Sequence, residues 1–267
     1  MLLKRILTAA VLLALLLAVL LWGPAWAFFL VLLLFGLLAL WEYLELVARA
    51  SSPPPRWPVY LVAVGVWVVG GWFSGHLLPA ILVGGLLLFV SAVWGSRDVA
   101  EILPAAAAGV FALLILAVPF ALLLDLRNRT DGQWIILYLF LVVWVGDTAA
   151  YFVGKAVGRH PLVPRLSPAK TVEGTAASLV AAVAVSFLLF RSWFAFSPAH
   201  GLFLGIIVNV AAQFSDLAES ALKRSAGVKD SSALLPGHGG VLDRVDSLLF
   251  AIPALWYYWN LVMRGGF

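Results

Sequence analysis

No cysteine occurs at any of the 267 positions. That excludes disulfides and thiolate metal sites, and leaves carboxylate, carbonyl and imidazole groups as metal ligands. Charge is scarce as well: Asp, Glu, Lys and Arg make up 11% of the chain, where soluble domains average roughly 25%. The formal charge of +4 is scattered. It forms no basic block of the kind nucleic-acid binders carry, so no nucleic-acid partner is expected.

What is present is apolar surface, 64% of residues being hydrophobic. No single soluble core hides that much, so the natural solvent is lipid. We expect an all-α fold, a polytopic integral membrane bundle. Windows of ~20 apolar residues suggest nine spans, near 5–23, 26–46, 58–73, 76–95, 103–124, 134–157, 174–195, 201–223 and 247–263. The third is short, and with the fourth it reads either as two spans or as one re-entrant pair. Lys4 and Arg5, the apolar run to Trp22 and the A-x-A pattern at 25–27 imitate a secretory signal. The next run is equally apolar, so the chain is polytopic either way, and we expect no cleavage. With the N-terminus inside, thirteen of seventeen Lys and Arg fall in inside segments, which favours a cytoplasmic N-terminus.

Polarity is uneven along the chain. Residues 144–246 hold sixteen of the thirty charged side chains and residues 1–96 hold six. Residues 1–130 therefore read as a transmembrane scaffold of about five spans. Residues 131–267 read as the catalytic region, with loops at 158–173 and 225–246. In the eighth span Asn209, Gln213, Asp216, Glu219, Ser220 and Lys223 fall within an arc of roughly 120° at helical spacing. Such a stripe faces a bundle interior or a watery cavity, because a charge at bilayer depth costs roughly 2.5–3.5 kcal/mol. A helix end emerging among headgroups accounts for Lys223 and Arg224 but not for Asn209 and Gln213.

The following loop, "KDSSALLPGHGGVLDRVDS", carries Gly237, Gly239 and Gly240, which let backbone N–H groups approach an anion. His238 is a candidate phosphate contact. Asp243 and Asp246 are three apart and share a face if the ninth span starts there. With Asp216 they are three carboxylates at one membrane boundary, and crowded carboxylates with open water positions suit Mg²⁺. Upstream, Asp147 and Tyr151 lie one turn apart, and Ser167, Lys170 and Thr171 are donors suited to phosphate. Glu42 and Glu45, at the end of the second span, read as interface markers.

Residues 220–246, "SALKRSAGVKDSSALLPGHGGVLDRVD", resemble the phosphatidate cytidylyltransferase (CDP-diacylglycerol synthase) family in the spacing of Ser, Lys-Arg, Lys-Asp, Pro-x-His-Gly-Gly and Asp-Arg-x-Asp. Residues 146–174 look like the same family's upstream block. The chain departs from the pattern at Ala149, Ala169, Ser215 and Ser232, where Gly, Lys, Gly and Gly are expected. The resemblance implies a nucleotidyltransferase of phospholipid biosynthesis in which CTP and phosphatidate give CDP-diacylglycerol and pyrophosphate. It implies a multi-pass protein of the inner (plasma) membrane, a cytoplasmic active site, divalent-metal dependence with a possible second cation, and a homodimer. By position, Asp216, Asp243 and Asp246 would be the metal carboxylates, with Lys223 and Arg224 catalytic beside them. Ser167, Lys170, Thr171, Ser220, Lys229, His238, Gly239, Gly240 and Arg244 would serve phosphates, and Asp147, Tyr151 and Glu219 would support them. A secondary transporter is the rival from another class, but the charges gather toward one side and no inverted repeat is visible. The D-x2-D-G-x2-A-R signature of CDP-alcohol phosphotransferases is absent.

Overall fold

The computed structural model describes residues 13–194, 196–234, 237 and 239–263. His238, Lys4 and Arg5, and positions 5–12 of the first expected span, lie outside the described residues. The helices are α1 (Leu13–Trp22), α2 (Ala25–Ala50), α3 (Arg56–Trp72), α4 (Leu77–Gly95), α5 (Val99–Ala112), α6 (Val118–Arg127), α7 (Gly132–Val157), α8 (Val172–Trp193), α9 (Pro198–Ser225), α10 (Leu242–Val245) and α11 (Leu248–Tyr258). Two short strands, β1 (Pro161–Val163) and β2 (Ser167–Thr171), pair antiparallel.

The protein is thus a helical membrane protein. Among the described residues, six helical stretches are long and apolar enough to cross a bilayer: Ala25–Ala50, Ser74–Gly95, Val99–Arg127, Gly132–Val157, Val172–Trp193 and Pro198–Ser225. The third and ninth expected positions hold shorter helix: α3 has 17 residues, and α11 has 11 and is followed by a wide π turn over Trp259–Met263. Of the first expected span, Leu13–Trp22 is described and is helical. The loop expected at 158–173 contains the β1–β2 hairpin. Its backbone finds partners across the hairpin, as polar main-chain groups must wherever water is sparse.

The chain divides into two compact units. The first comprises Met1–Gln133 and Ser225–Val245. Its helices pack closely where side chains are small. A Cβ on Gly36 would lie 2.6 Å from the Trp67 ring, and one on Gly70 would lie 2.6 Å from the Ala121 carbonyl. α5 and α6 are one continuous helical rod interrupted by a π turn at Leu113–Ala117, just before Pro119. Proline has no N–H and its ring displaces the preceding carbonyls, so the ladder widens there. The buried Trp67 indole donates to the Ala117 carbonyl at 3.1 Å. Near the end of α6, Arg127 donates to the Gly23 carbonyl at 2.8 Å, Asn128 donates to the Gly71 carbonyl, and Arg129 pairs with Asp125.

The second unit comprises Trp134–Arg224 and Asp246–Phe267. α7, α8 and α9 are its main helices. α9 is set against α8 at Gly201 and Gly205, where a Cβ would come within 2.9 Å of Phe190 and 2.8 Å of Ser186. Close backbone approach at small residues replaces the hydrophobic drive that helices lack in lipid.

Candidate active site

A ladder of polar side chains climbs the interior of the second unit toward the charged residues. Tyr138 and Ser186 share a hydrogen bond of 2.6 Å, and Ser186 donates to the Gly201 carbonyl. Asn209 donates to Ser178 at 2.8 Å, and Gln213 donates to Asn209 at 2.5 Å. Asn209 is 1% exposed and Ser178 likewise 1%, so these bonds keep polar groups from being stranded in apolar surroundings. Gly146 leaves them room: a Cβ there would lie 2.6 Å from Asn209 Nδ2.

Above the ladder the unit opens into a cavity of about 380 Å³. Asp147 and Tyr151 of α7, Lys170 and Thr171 of β2, Gln213 and Asp216 of α9, and Asp246 with Ser247 line it. Carboxylate oxygens of Asp216, Glu219 and Asp246 lie within 4.8 Å of one another. Two of the acids carry a lysine: Lys170 Nζ sits 2.5 Å from Asp216, and Lys223 Nζ sits 2.6 Å from Glu219. Asp216 and Glu219 are one turn apart on α9, which puts them on one face. Asp246 arrives from the start of the last helical segment. Ser215 fixes it there, donating to the Asp246 carbonyl and accepting from Phe250 N at 3.2 Å. One Asp246 oxygen accepts from Ser247 N at 2.7 Å. Burial, and then the charge of Asp216, push the Asp246 carboxyl up to about 7.

The hairpin is strapped to the N-terminus of α8. Glu173 accepts from the Arg159 and His160 amides at 3.2 and 3.3 Å and from the His160 ring at 2.6 Å. Thr171 caps α8, accepting from Gly174 N at 3.2 Å. Arg224 donates to the Leu166 carbonyl at 3.2 Å. The strap therefore positions Lys170, with Ser167 at the other end of β2. Ser220, 9% exposed, lies on α9 one residue past Glu219.

Lys229, Gly239, Gly240, Asp243 and Arg244 belong to the first unit. Asp243 lies in α10 and Asp246 outside it, so the two do not begin one continuous helix as their spacing suggested. Asp243 Oδ2 accepts from Ser231 N at 2.9 Å, Ser231 Oγ at 2.8 Å and Gly240 N at 2.8 Å. Gly239 has φ +77°, and a Cβ on it would lie 2.8 Å from Asp243 Oδ2. Lys229 and Arg244 are exposed. Glu45 pairs with Arg56 at 2.7 Å. Glu42, which the sequence marks only as an interface residue, is 0% exposed and accepts four hydrogen bonds from residues 231–242. The available signal was an acid inside the last turns of an apolar helix with no cation one turn away.

The acidic trio has the chemistry of a hard-cation site. Three carboxylates so close repel one another unless a proton or a cation sits among them. All-oxygen donors beside open cavity space match Mg²⁺, which keeps several waters and uses few carboxylates. Lys170 and Lys223 add two donors suited to phosphate oxygens.

The sequence profile described as "Cytidylyltransferase family" matches residues 3–262. The chain is similar to the phosphatidate cytidylyltransferase of Haemophilus influenzae, with 33% identity over 296 residues, covering 98% of this chain and all of the relative. It is 36% identical over 261 residues to that of Staphylococcus saprophyticus, covering 94% and 96% of the two chains. A shorter match, 39% over 188 residues, joins it to that of Staphylococcus haemolyticus, covering 70% of each. A profile spanning nearly the whole sequence and relatives aligned end to end leave one conclusion: the chain belongs to the cytidylyltransferase family.

Proposed function

We propose that the protein catalyses CTP + phosphatidate → CDP-diacylglycerol + pyrophosphate, a nucleotidyl transfer of phospholipid synthesis. The observation that carries the reading is the trio Asp216, Glu219 and Asp246 beside Lys170 and Lys223, at a cavity among apolar helices, in a member of this family. An oxygen of the lipid's phosphate monoester attacks the α-phosphorus of the nucleotide. That P–O bond forms as the α–β bridging P–O bond breaks, and pyrophosphate departs. The second pKa of a phosphate monoester is about 6, so the attacking oxygen is already ionised at neutral pH and needs no general base. The task left to the protein is to hold two anions in line.

Asp216, Glu219 and Asp246 would hold Mg²⁺, which when bound supplies charge neutralisation at the reacting phosphates. Lys170, Lys223 and Arg224 add fixed positive charge, and Ser167, Thr171 and Ser220 add hydroxyl donors. Asp147 and Tyr151 shape the cavity wall. The family resemblance assigns phosphate contacts to Lys229, His238, Gly239, Gly240 and Arg244, and a metal carboxylate to Asp243. Nine spans, a cytoplasmic N-terminus, a cytoplasmic mouth to the cavity and a homodimer complete the proposal. The distribution of Lys and Arg supports the orientation.

The test is purified protein with labelled CTP, phosphatidate and Mg²⁺. A labelled lipid product that disappears on chelation is expected. Consumption of ATP or UTP in place of CTP would overturn the cytidylyl assignment. Lipid product unaffected by chelation would overturn the metal.

A further inference from the structure

Glu42 has no part in the chemistry above, yet it is the most completely enclosed carboxylate among the described residues. An acid buried in an apolar helix is costly unless its oxygens meet donors. Those of Glu42 meet four. Oε2 accepts from Ser231 Oγ at 2.9 Å and Leu242 N at 2.7 Å. Oε1 accepts from Ser232 Oγ at 2.6 Å and Val241 N at 2.9 Å. One hydroxyl and one amide reach each oxygen, and they come from opposite sides of the glycine turn. Gly240 lies between the arms: a Cβ there would come within 2.5 Å of both Glu42 oxygens and 2.0 Å of Ser231 Oγ. Ser231 has a single hydroxyl proton, and its oxygen lies 2.9 Å from Glu42 and 2.8 Å from Asp243. It therefore donates to one carboxylate at a time.

We propose that Glu42 is a positioning residue for the transfer reaction. Its carboxylate clasps residues 231–232 to residues 241–242, and so sets the backbone that carries Lys229, Asp243 and Arg244. The inference rests on the reading that this loop serves the phosphates of the substrates. The chemistry of the clasp makes it sensitive to isosteric change. Glutamine has one acceptor oxygen, and its amide N–H groups would face donors. Aspartate keeps both acceptors on a shorter arm.

The experiment uses full-length wild type, Glu42→Gln, Glu42→Asp, Ser232→Ala and the Glu42→Gln/Ser232→Ala double variant, purified and reconstituted in lipid vesicles. Hydrogen exchange is followed across 225–245 and 134–224, with kcat and KM for each substrate. Glu42→Gln is expected to speed exchange in 225–245 while leaving 134–224 unchanged. It should lower kcat/KM for CTP by about tenfold or more, as for losing charge-assisted hydrogen bonds, with KM for phosphatidate held. Glu42→Asp should recover part of that loss. The double variant should be no worse than Glu42→Gln, because Ser232 acts through the same carboxylate. Unchanged exchange in Glu42→Gln, or additive losses in the double variant, overturns the clasp. Faster exchange with untouched turnover also overturns the positioning role. In that case the loop's service to phosphate fails, whereas the acid trio is judged separately by Asp216→Asn. Should Glu42→Gln fail to fold, Ser232→Ala decides alone: faster exchange with a lower kcat/KM for CTP supports the clasp, and wild-type values overturn it.

Discussion

Glu42 in the first compact unit and the trio Asp216, Glu219 and Asp246 in the second are solvated in opposite ways. Glu42 is ringed by four N–H and O–H donors. Asp216, Glu219 and Asp246 crowd against one another, with lysines on two of them and a cavity alongside. A carboxylate whose lone pairs are filled by fixed donors is a structural fastener. Carboxylates held close together, facing open space, retain affinity for a positive partner.

The sharpest way to break this contrast is Asp216→Asn. It should lower turnover at least about 100-fold, the scale of losing an electrostatic contact to the transition state, while membrane insertion and thermal stability stay near wild type. Normal turnover by the purified variant would remove Asp216 from the site. Lys170→Met should raise KM for CTP about 10- to 100-fold, as expected for one lost charge-assisted hydrogen bond, in steady-state assays. The third probe is pH. Because the Asp246 carboxyl is pushed up to about 7, it is protonated in the cation-free protein below that pH, and a cation must displace the proton. Affinity for Mn²⁺, read by electron paramagnetic resonance, should therefore be full above pH 7. It should fall about tenfold per unit below that. Ser178→Ala tests the ladder instead. It leaves Asn209 short of a partner and should cost ~0.6–2 kcal/mol in thermal or denaturant unfolding. Ser192→Ala, which removes an exposed hydroxyl back-bonded to the Leu188 and Leu189 carbonyls at 2.8 and 3.4 Å, should shift stability by less than about 0.5 kcal/mol.

The helical membrane architecture was legible in composition; Asp216 stood out because a charge at bilayer depth demands a reason, and Asp246 because it follows Asp243 by three at the membrane boundary. Glu219 was visible on the same helical face as Asp216, but its closeness to Asp246 depends on Ser215 gripping the Asp246 backbone, which periodicity cannot reveal. Glu42 was opaque for a different reason. Its donors are two hydroxyls and two amides nearly 200 positions away, and backbone amides leave no mark in a sequence. The hairpin at 161–171 was hidden because Ser, Pro and Ala read as loop. Its strap by Glu173 and His160 pairs residues that look like ordinary loop and helix-start positions. The short α10 separates Asp243 from Asp246 where spacing alone suggested a shared face, since the four residues Leu242–Val245 form their own turn of helix.

The Glu42 clasp joins positions separated by 189 to 200 residues. A ribosome adding roughly 5–20 residues per second exposes α2 about 10–40 s before the hydroxyls and amides that will close on it exist. During that interval a nascent acid near the membrane must shelter with water, headgroups or the insertion machinery. Maturation of the loop consequently waits until residues 231–242 have been made.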